Sequence, residues 1–301
     1  MVSDFEPGEK TWSDEIAWVE IFLAEAVAEP FEVLIMEGLD AAGQVPPVPE
    51  RLAALAPQVR VVFEATQRSS ALKDAALAHC AGELIAVVEA DSFPVPGWLG
   101  RLVERLDAEP SLDVVSGRTI YGEGSSFIRA LNLLDRGFIE VPRKGEIIHA
   151  ANNGAVYRRW VLEAYPYPDE PNPFVSGELR MNRMLADGVR FGLVPEALMQ
   201  HAFGGLPFIW DVRRNKGFQA AKMLRGTQAP NSASKFRRAW AAVRRGIRED
   251  RATVEGVGAT FLRWYDWPLM WLLFLLVRIP EFSGALAVDT PDAFAAGTDY
   301  R

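Results

Sequence analysis

The sequence predicts an α/β fold: a mostly parallel central sheet with helices on both faces, followed by a helical C-terminal extension. Three observations carry this expectation. Over the first two thirds of the chain, strand-like and helix-like stretches alternate. The strand-like stretches are near-continuous apolar runs, the pattern of strands buried on both faces. Beyond Arg213 the composition changes, first to a basic segment and then to an apolar one. The expected division is therefore residues 1–210 for the α/β part and 211–301 for the extension.

Taken in order, Glu15 to Ala28 reads as a helix with a broad apolar face (Ile16, Val19, Ile21, Phe22, Leu23), which Asp14 can cap. "FEVLIMEG" (Phe31–Gly38) and "VRVVFEA" (Val59–Ala65) read as short buried strands. The Ala/Leu-rich stretch from Ser69 to Ala81 reads as a helix that stops at Gly82. "LIAVVEAD" reads as a third strand, ahead of a helix from Trp98 to Ala108 and a further strand in "LDVVSGRTIYG".

The 301 residues suffice for a sizeable core. A single cysteine, Cys80, excludes an intramolecular disulfide framework and fits a reducing compartment. With three histidines and no CxxC, a structural zinc site is not expected. The start, "MVSDFEPGEK", lacks the basic and apolar parts of a signal peptide, which points to the cytoplasm. Net charge is −8, yet Arg213 to Arg251 holds twelve basic residues against Glu249 and Asp250. A basic segment on an acidic body suits an anionic partner: phosphate, nucleic acid or lipid. No nucleic-acid-binding module is recognisable in it, so nucleic acid is not the expected partner.

In open sheets, ligands collect at the carboxyl ends of the strands. Glu37, Glu64 and the pair Glu89/Asp91 all fall at such ends. Two carboxylates spaced i, i+2 where a strand bends can reach one hard divalent cation, which takes one or two carboxylates plus substrate phosphates. Taken in isolation, the triplet is better explained by a capped turn, with Asp91 bonding the backbone near Ser92.

The surroundings carry more. "VSDFEPGEK", "FEVLIMEG", "SSALKDAALAHCAGELIAVVEADSFPVPGWL", "ANNGAVYRR" and "LADGVRFGLVPEALMQH" occur in this order. Together they resemble glycosyltransferase family 2, the nucleotide-sugar-dependent transferases of GT-A (nucleotide-diphospho-sugar transferase) fold. The resemblance covers about residues 2–225. It implies that Glu89 and Asp91 occupy the metal-motif positions and that Glu37 sits where the family contacts the nucleoside. His201 matches a histidine at the end of the catalytic core, a further metal or diphosphate contact. Without that match it reads as an ordinary surface or core histidine. Asn152 and Asn153 line the donor-sugar or acceptor side, although Asn-Asn-Gly is also turn chemistry. The implied cofactor is a divalent metal, Mn or Mg, which offsets charge on the departing diphosphate. Arg213, Arg214 and Lys216 follow His201 and can add positive charge there; a solvated or lipid-facing surface is the alternative.

Three departures stand out. The first segment carries Asp4 and Glu6 where the family has an apolar strand ending in Pro-x-Tyr-Asn. The metal motif is Glu-Ala-Asp in place of Asp-x-Asp. The family's Glu-Asp pair, which supplies the general base, is replaced by Ser176 and Gly177, with Glu178 one residue along. Glu178 is then either the base of an inverting transfer or the N-terminal carboxylate of a helix.

The tail, "FLRWYDWPLMWLLFLLVRIPEFSGALA", has an apolar run from Trp267 to Val277 between Arg263 and Arg278. It falls short of the roughly 20 residues of a membrane span. Trp264, Tyr265, Trp267 and Trp271 suit a lipid–water interface, so the 261–288 segment reads as a peripheral anchor at the inner face of the plasma membrane. A helix packed on the domain is the other reading. The expected function is transfer of a sugar from a nucleotide-diphosphate donor to a lipid-linked or polysaccharide acceptor. The alternative is a non-catalytic relative that binds a nucleotide, glycan or protein. Nucleotidyl transfer ranks behind both, because "EPGEKTW" is a poor Gly-rich, Lys-containing loop.

Overall fold

The computed structural model describes residues 2–3, 12–24, 30–39, 43–66, 68–143, 145–151, 153–225 and 232–289. Asp4, Glu6 and Asn152 lie outside them, so the expectations resting on these positions have no structural counterpart. In chain order the first elements are β1 (Val2–Ser3), α1 (Ser13–Leu23), β2 (Val33–Gly38), α2 (Glu50–Ala53), β3 (Val59–Glu64) and α3 (Ser69–Ala75). Then come β4 (Leu84–Val88), β5 (Ser92–Pro94), α4 (Trp98–Ala108), β6 (Val114–Ile120), α5 (Ser126–Arg136), β7 (Gly154–Arg158) and α6 (Arg159–Ala164). The chain continues through α7 (Pro173–Ala186), β8 (Phe191–His201), α8 (Gly205–Arg225), α9 (Ser232–Phe261), α10 (Trp267–Leu276) and α11 (Arg278–Ala287).

The chain divides into two compact units. The first comprises Met1–Ile120, Gly145–Asp169 and Leu179–Ala202; the second comprises Tyr121–Lys144, Glu170–Glu178 and Phe203–Arg301. The helices α8 to α11 all fall in the second unit. They share it with α5 and with the start of α7.

In the first unit β1, β2 and β3 form a parallel sheet. A second sheet runs in the order β4-β7-β6-β8-β5 and is mixed: β6 and β8 pair in parallel, while β7 is antiparallel to β4 and β6 and β5 is antiparallel to β8. The parallel expectation thus holds for the first sheet and for β6·β8. Burial explains the apolar runs. Along β2, Val33 and Ile35 join a core with Trp18 and Phe22 of α1 and Trp98 and Leu102 of α4. The intervening Leu34 and Met36 meet Leu72 of α3 on the other face. β6 behaves alike, with Val115 in the first core and Val114 packed with Tyr157, Val161 and Met184. Strands covered on both faces have no need of alternation.

The link between β5 and α4 is a tight turn. The Trp98 N–H donates to the Val95 carbonyl at 3.0 Å, with Pro96 and Gly97 at its centre. Gly97 has φ 84° and ψ 6°, the left-handed conformation that a type II turn requires at this position. The turn delivers Trp98, Leu99, Leu102 and Leu106 of α4 to one buried stripe. Each such leucine contributes about 2 kcal/mol by leaving water.

In the second unit, Tyr121, Leu131, Phe208 and Ile209 form an apolar cluster. Beside it, α8 and α11 cross at a backbone contact: a Cβ on Gly217 would lie 1.9 Å from the Glu281 carbonyl oxygen, so no larger residue fits. Arg213 is fully buried there and its guanidinium is shared by Asp135, Asp250 and Glu281, at 2.6, 2.8 and 2.9 Å. This multiple pairing compensates the desolvation of the charges.

Candidate active site

Two acids just past the end of β4 meet a histidine from the end of β8. Potential ligand atoms of Glu89, Asp91 and His201 all lie within 4.8 Å of one another. The local fold explains the meeting. β4 ends at Val88, and the Ser92 N–H donates to the Glu89 carbonyl at 3.0 Å, turning the chain. Ala90 is buried while the acids on either side of it are partly exposed, so Glu89 and Asp91 share the outer side. The strand read from sequence through Asp91 thus stops at Val88, and Glu89 to Asp91 form a turn into β5. β5 then pairs antiparallel with β8 in the register Ser92↔His201. The Ala202 N–H donates to the Asp91 carbonyl at 2.7 Å and closes this register.

The electrostatics of His201 follow from one bond. Its Nδ1 lies 2.8 Å from the Ala202 carbonyl oxygen. A carbonyl only accepts, so Nδ1 carries the proton and, in the neutral ring, Nε2 presents a lone pair. That Nε2 lies 3.3 Å from Asp91 Oδ2. An imidazole whose second nitrogen donates to a backbone carbonyl is the usual arrangement of a metal-ligating histidine. Two carboxylates and one imidazole suit a divalent cation such as Mn or Mg.

Asn153 stands behind the acids. It precedes β7, whose register with β4 sets Gly154 opposite Val88, at the same sheet edge as Glu89. Its Nδ2 donates to Ser92 Oγ at 3.1 Å, and that hydroxyl lies 3.2 Å from Asp91 Oδ1. Asn153 therefore reaches Asp91 through Ser92, which sequence reading did not select. Lys73 of α3 was missed as well. Its Nζ is ion-paired with Glu89, its side chain is only 7 % exposed, and it lies 5.9 Å from the Tyr167 ring centroid. The signal was available: an ammonium one helix before the strand is the natural partner for a half-buried acid. Glu37 is buried at the carboxyl end of β2, opposite Phe63 of β3. Glu64, at the end of β3, lies 3.5 Å from His79 Nε2.

The remaining expected residues belong to the second unit. Arg213 is not placed to meet a phosphate: its buried guanidinium is engaged by three carboxylates, and this corrects the role expected for it. Lys216 is likewise taken, by Asp250 at 2.7 Å. Arg214 is half-buried on α8, and its backbone faces Gly284 of α11. Glu178 lies within α7, where Oε1 accepts from Arg245 at 2.6 Å and Oε2 accepts from Gln219. Both of its oxygens are therefore in use.

Comparison with known proteins bears on the fold. The family model for glycosyl transferase family 2 matches residues 23–165. The mannosyltransferase PcManGT from Pyrobaculum calidifontis, solved with GDP-Man and Mn2+, superposes with a TM-score of 0.58 at 14 % identity, covering 95 % of this chain and 85 % of that one. A TarS fragment from S. aureus, solved with UDP, gives a TM-score of 0.49 at 13 % identity over 100 % of this chain and 92 % of that one. No curated protein sequence matches the chain. On these grounds residues 23–165 are similar to glycosyl transferase family 2, and the chain has the GT-A fold of that mannosyltransferase.

Proposed function

We propose that the protein transfers a sugar from a nucleoside-diphosphate donor to a lipid-linked or polysaccharide acceptor, with inversion, at the inner face of the plasma membrane. The observation that carries this reading is the convergence of Glu89, Asp91 and His201, with Nδ1 of His201 tied to a carbonyl and Nε2 turned to Asp91. These three side chains would hold a divalent ion. Such an ion, when bound, acts as a Lewis acid that offsets charge gathering on the departing diphosphate. The mannosyltransferase that shares the fold was solved with a nucleotide sugar and Mn2+, which is consonant with this assignment.

The chain's own residues supply the rest. Asn153 and Ser92 hold the Asp91 carboxylate in one orientation. Lys73 fixes Glu89 and adds positive charge next to the donor phosphates. Glu37, at the end of β2, is assigned to the nucleoside, and Asn152 to the sugar beside Asn153. Arg214 remains assigned to the diphosphate. Proton removal from the acceptor hydroxyl falls to Glu178. Arg245 holds that carboxylate in place, and the acceptor hydroxyl takes over the bond that Gln219 now makes.

The test is transfer itself. Purified protein is incubated with radiolabelled UDP-, GDP- and dTDP-sugars, Mn2+ and a membrane lipid extract, and label in the organic phase is counted. Label from one donor, abolished in Asp91→Asn and lowered about 1,000-fold in Glu178→Gln, is the expected result. Unchanged transfer in Glu178→Gln would remove that residue from catalysis.

A further inference from the structure

The second unit presents a surface that the transfer site does not use. We infer that it seats the protein on an anionic lipid leaflet, with α10 and α11 lying along the interface without crossing the bilayer. This deepens the membrane part of the reading above and rests on it only for its purpose; the surface is argued from the second unit alone.

Along α10 and into α11, Trp271, Leu272, Leu275, Leu276 and Ile279 are exposed and recur at helical spacing, Leu275 by 65 %. Trp264, 84 % exposed, and Tyr265 stand at the entry to α10. Arg263 donates to the Tyr265 hydroxyl at 2.7 Å, so charge and ring are held together. An apolar ridge ending in tryptophan, tyrosine and arginine matches the graded polarity of a headgroup region, which a protein partner has no reason to reproduce.

The neighbouring helix names the sign of the lipid. Arg237, Trp240, Arg244, Arg248 and Arg251 of α9 are all exposed and recur every three or four residues, forming one stripe. Two positions of that stripe adjoin α11 and α10. Trp240 meets Phe282 of α11 at a centroid distance of 5.3 Å, and Arg251 lines a groove with Trp267 and Trp271. Arg251 is partly neutralised by Glu255 at 2.7 Å. Arginines beside an inserted apolar ridge select anionic headgroups.

Length alone would allow a crossing, since Trp264–Ala287 is a helical stretch of 24 residues with an apolar window. The other face forbids it. Of that window 44 % is buried, with Met270 and Phe274 inside the unit. Glu281 is held by Arg213 at 2.9 Å and by Arg278 at 2.6 Å. Crossing would break these pairs and carry Arg278 and Glu281 into hydrocarbon.

The experiment is cosedimentation of the full chain with phosphatidylcholine vesicles, with and without phosphatidylglycerol. The wild type should sediment with the anionic vesicles and be stripped by alkaline carbonate. Partitioning should fall about tenfold or more in the double variant Leu272→Glu/Leu275→Glu, and again in Arg244→Glu/Arg248→Glu. All four positions are exposed; circular dichroism melts check folding, and nucleotide-sugar thermal shifts check the donor site separately. Four results would overturn the inference: no binding of folded wild type to anionic vesicles, variants that bind like wild type, retention after carbonate, or a wild-type dimer that Leu272→Glu/Leu275→Glu dissociates.

Discussion

His201 Nε2 stands 3.3 Å from Asp91 Oδ2, while Nδ1 of the same ring donates to the Ala202 carbonyl. With the proton on Nδ1, the neutral ring turns a lone pair toward a carboxylate, and a cation shared between them removes the repulsion. Asp91→Asn and His201→Gln should each weaken Mn2+ binding about 100-fold, read by calorimetric titration. Equal Mn2+ affinity in wild type and His201→Gln would show that the histidine only packs.

Lys73 competes with a cation for Glu89. Removing its charge in Lys73→Met should tighten Mn2+ binding about tenfold while lowering transfer, because the ammonium no longer orients Glu89 or meets the donor. Titration of metal and measurement of turnover on one preparation separate the two effects. A joint fall in both would instead mark Lys73 as simply structural.

Asn153 acts on Asp91 through Ser92. Truncation in Asn153→Ala leaves the Ser92 hydroxyl without its donor and should weaken Mn2+ binding about tenfold, with little change in melting temperature. Asn153→Asp should not restore it, since a carboxylate cannot donate that bond. Wild-type affinity in Asn153→Ala would exclude the relay.

Much of this was legible in the sequence, for physical reasons. β2, buried along most of its length, is apolar up to Glu37 and announced itself, while β3 and β4, only partly buried, are still apolar enough to read as strands. The Glu89/Asp91 pair was visible because a buried run rarely ends on two acids. What stayed hidden depends on pairing across distance. The Ser92↔His201 register, the Lys73–Glu89 ion pair and the antiparallel return of β7 are set by tertiary packing. Arg213 misled for a related reason. A run of basic residues looks like a surface, whereas Asp135, Asp250 and Glu281 lie too far along the chain for its burial to be read.

Acid should loosen the second unit through Asp266. Two hydrogen bonds from Arg129, each 2.8 Å, hold its carboxyl well below the usual carboxylate range. A carboxyl depressed on folding contributes stability that is complete above about pH 4 and lost as pH falls through the folded value. Asp266→Asn should therefore cost about 2 kcal/mol at neutral pH and progressively less below about pH 4. Urea unfolding at neutral and acid pH measures this, and an equal difference at both would refute the role of the pair.

The most direct measurement of a metal-dependent donor site is a thermal-shift panel of UDP-, GDP- and dTDP-sugars, with and without Mn2+, on wild type and Asp91→Ala. Stabilisation by one nucleotide class, dependent on Mn2+ and absent in Asp91→Ala, is the expected result. No shift of the folded wild type by any donor would contradict the donor site at Glu89, Asp91 and His201.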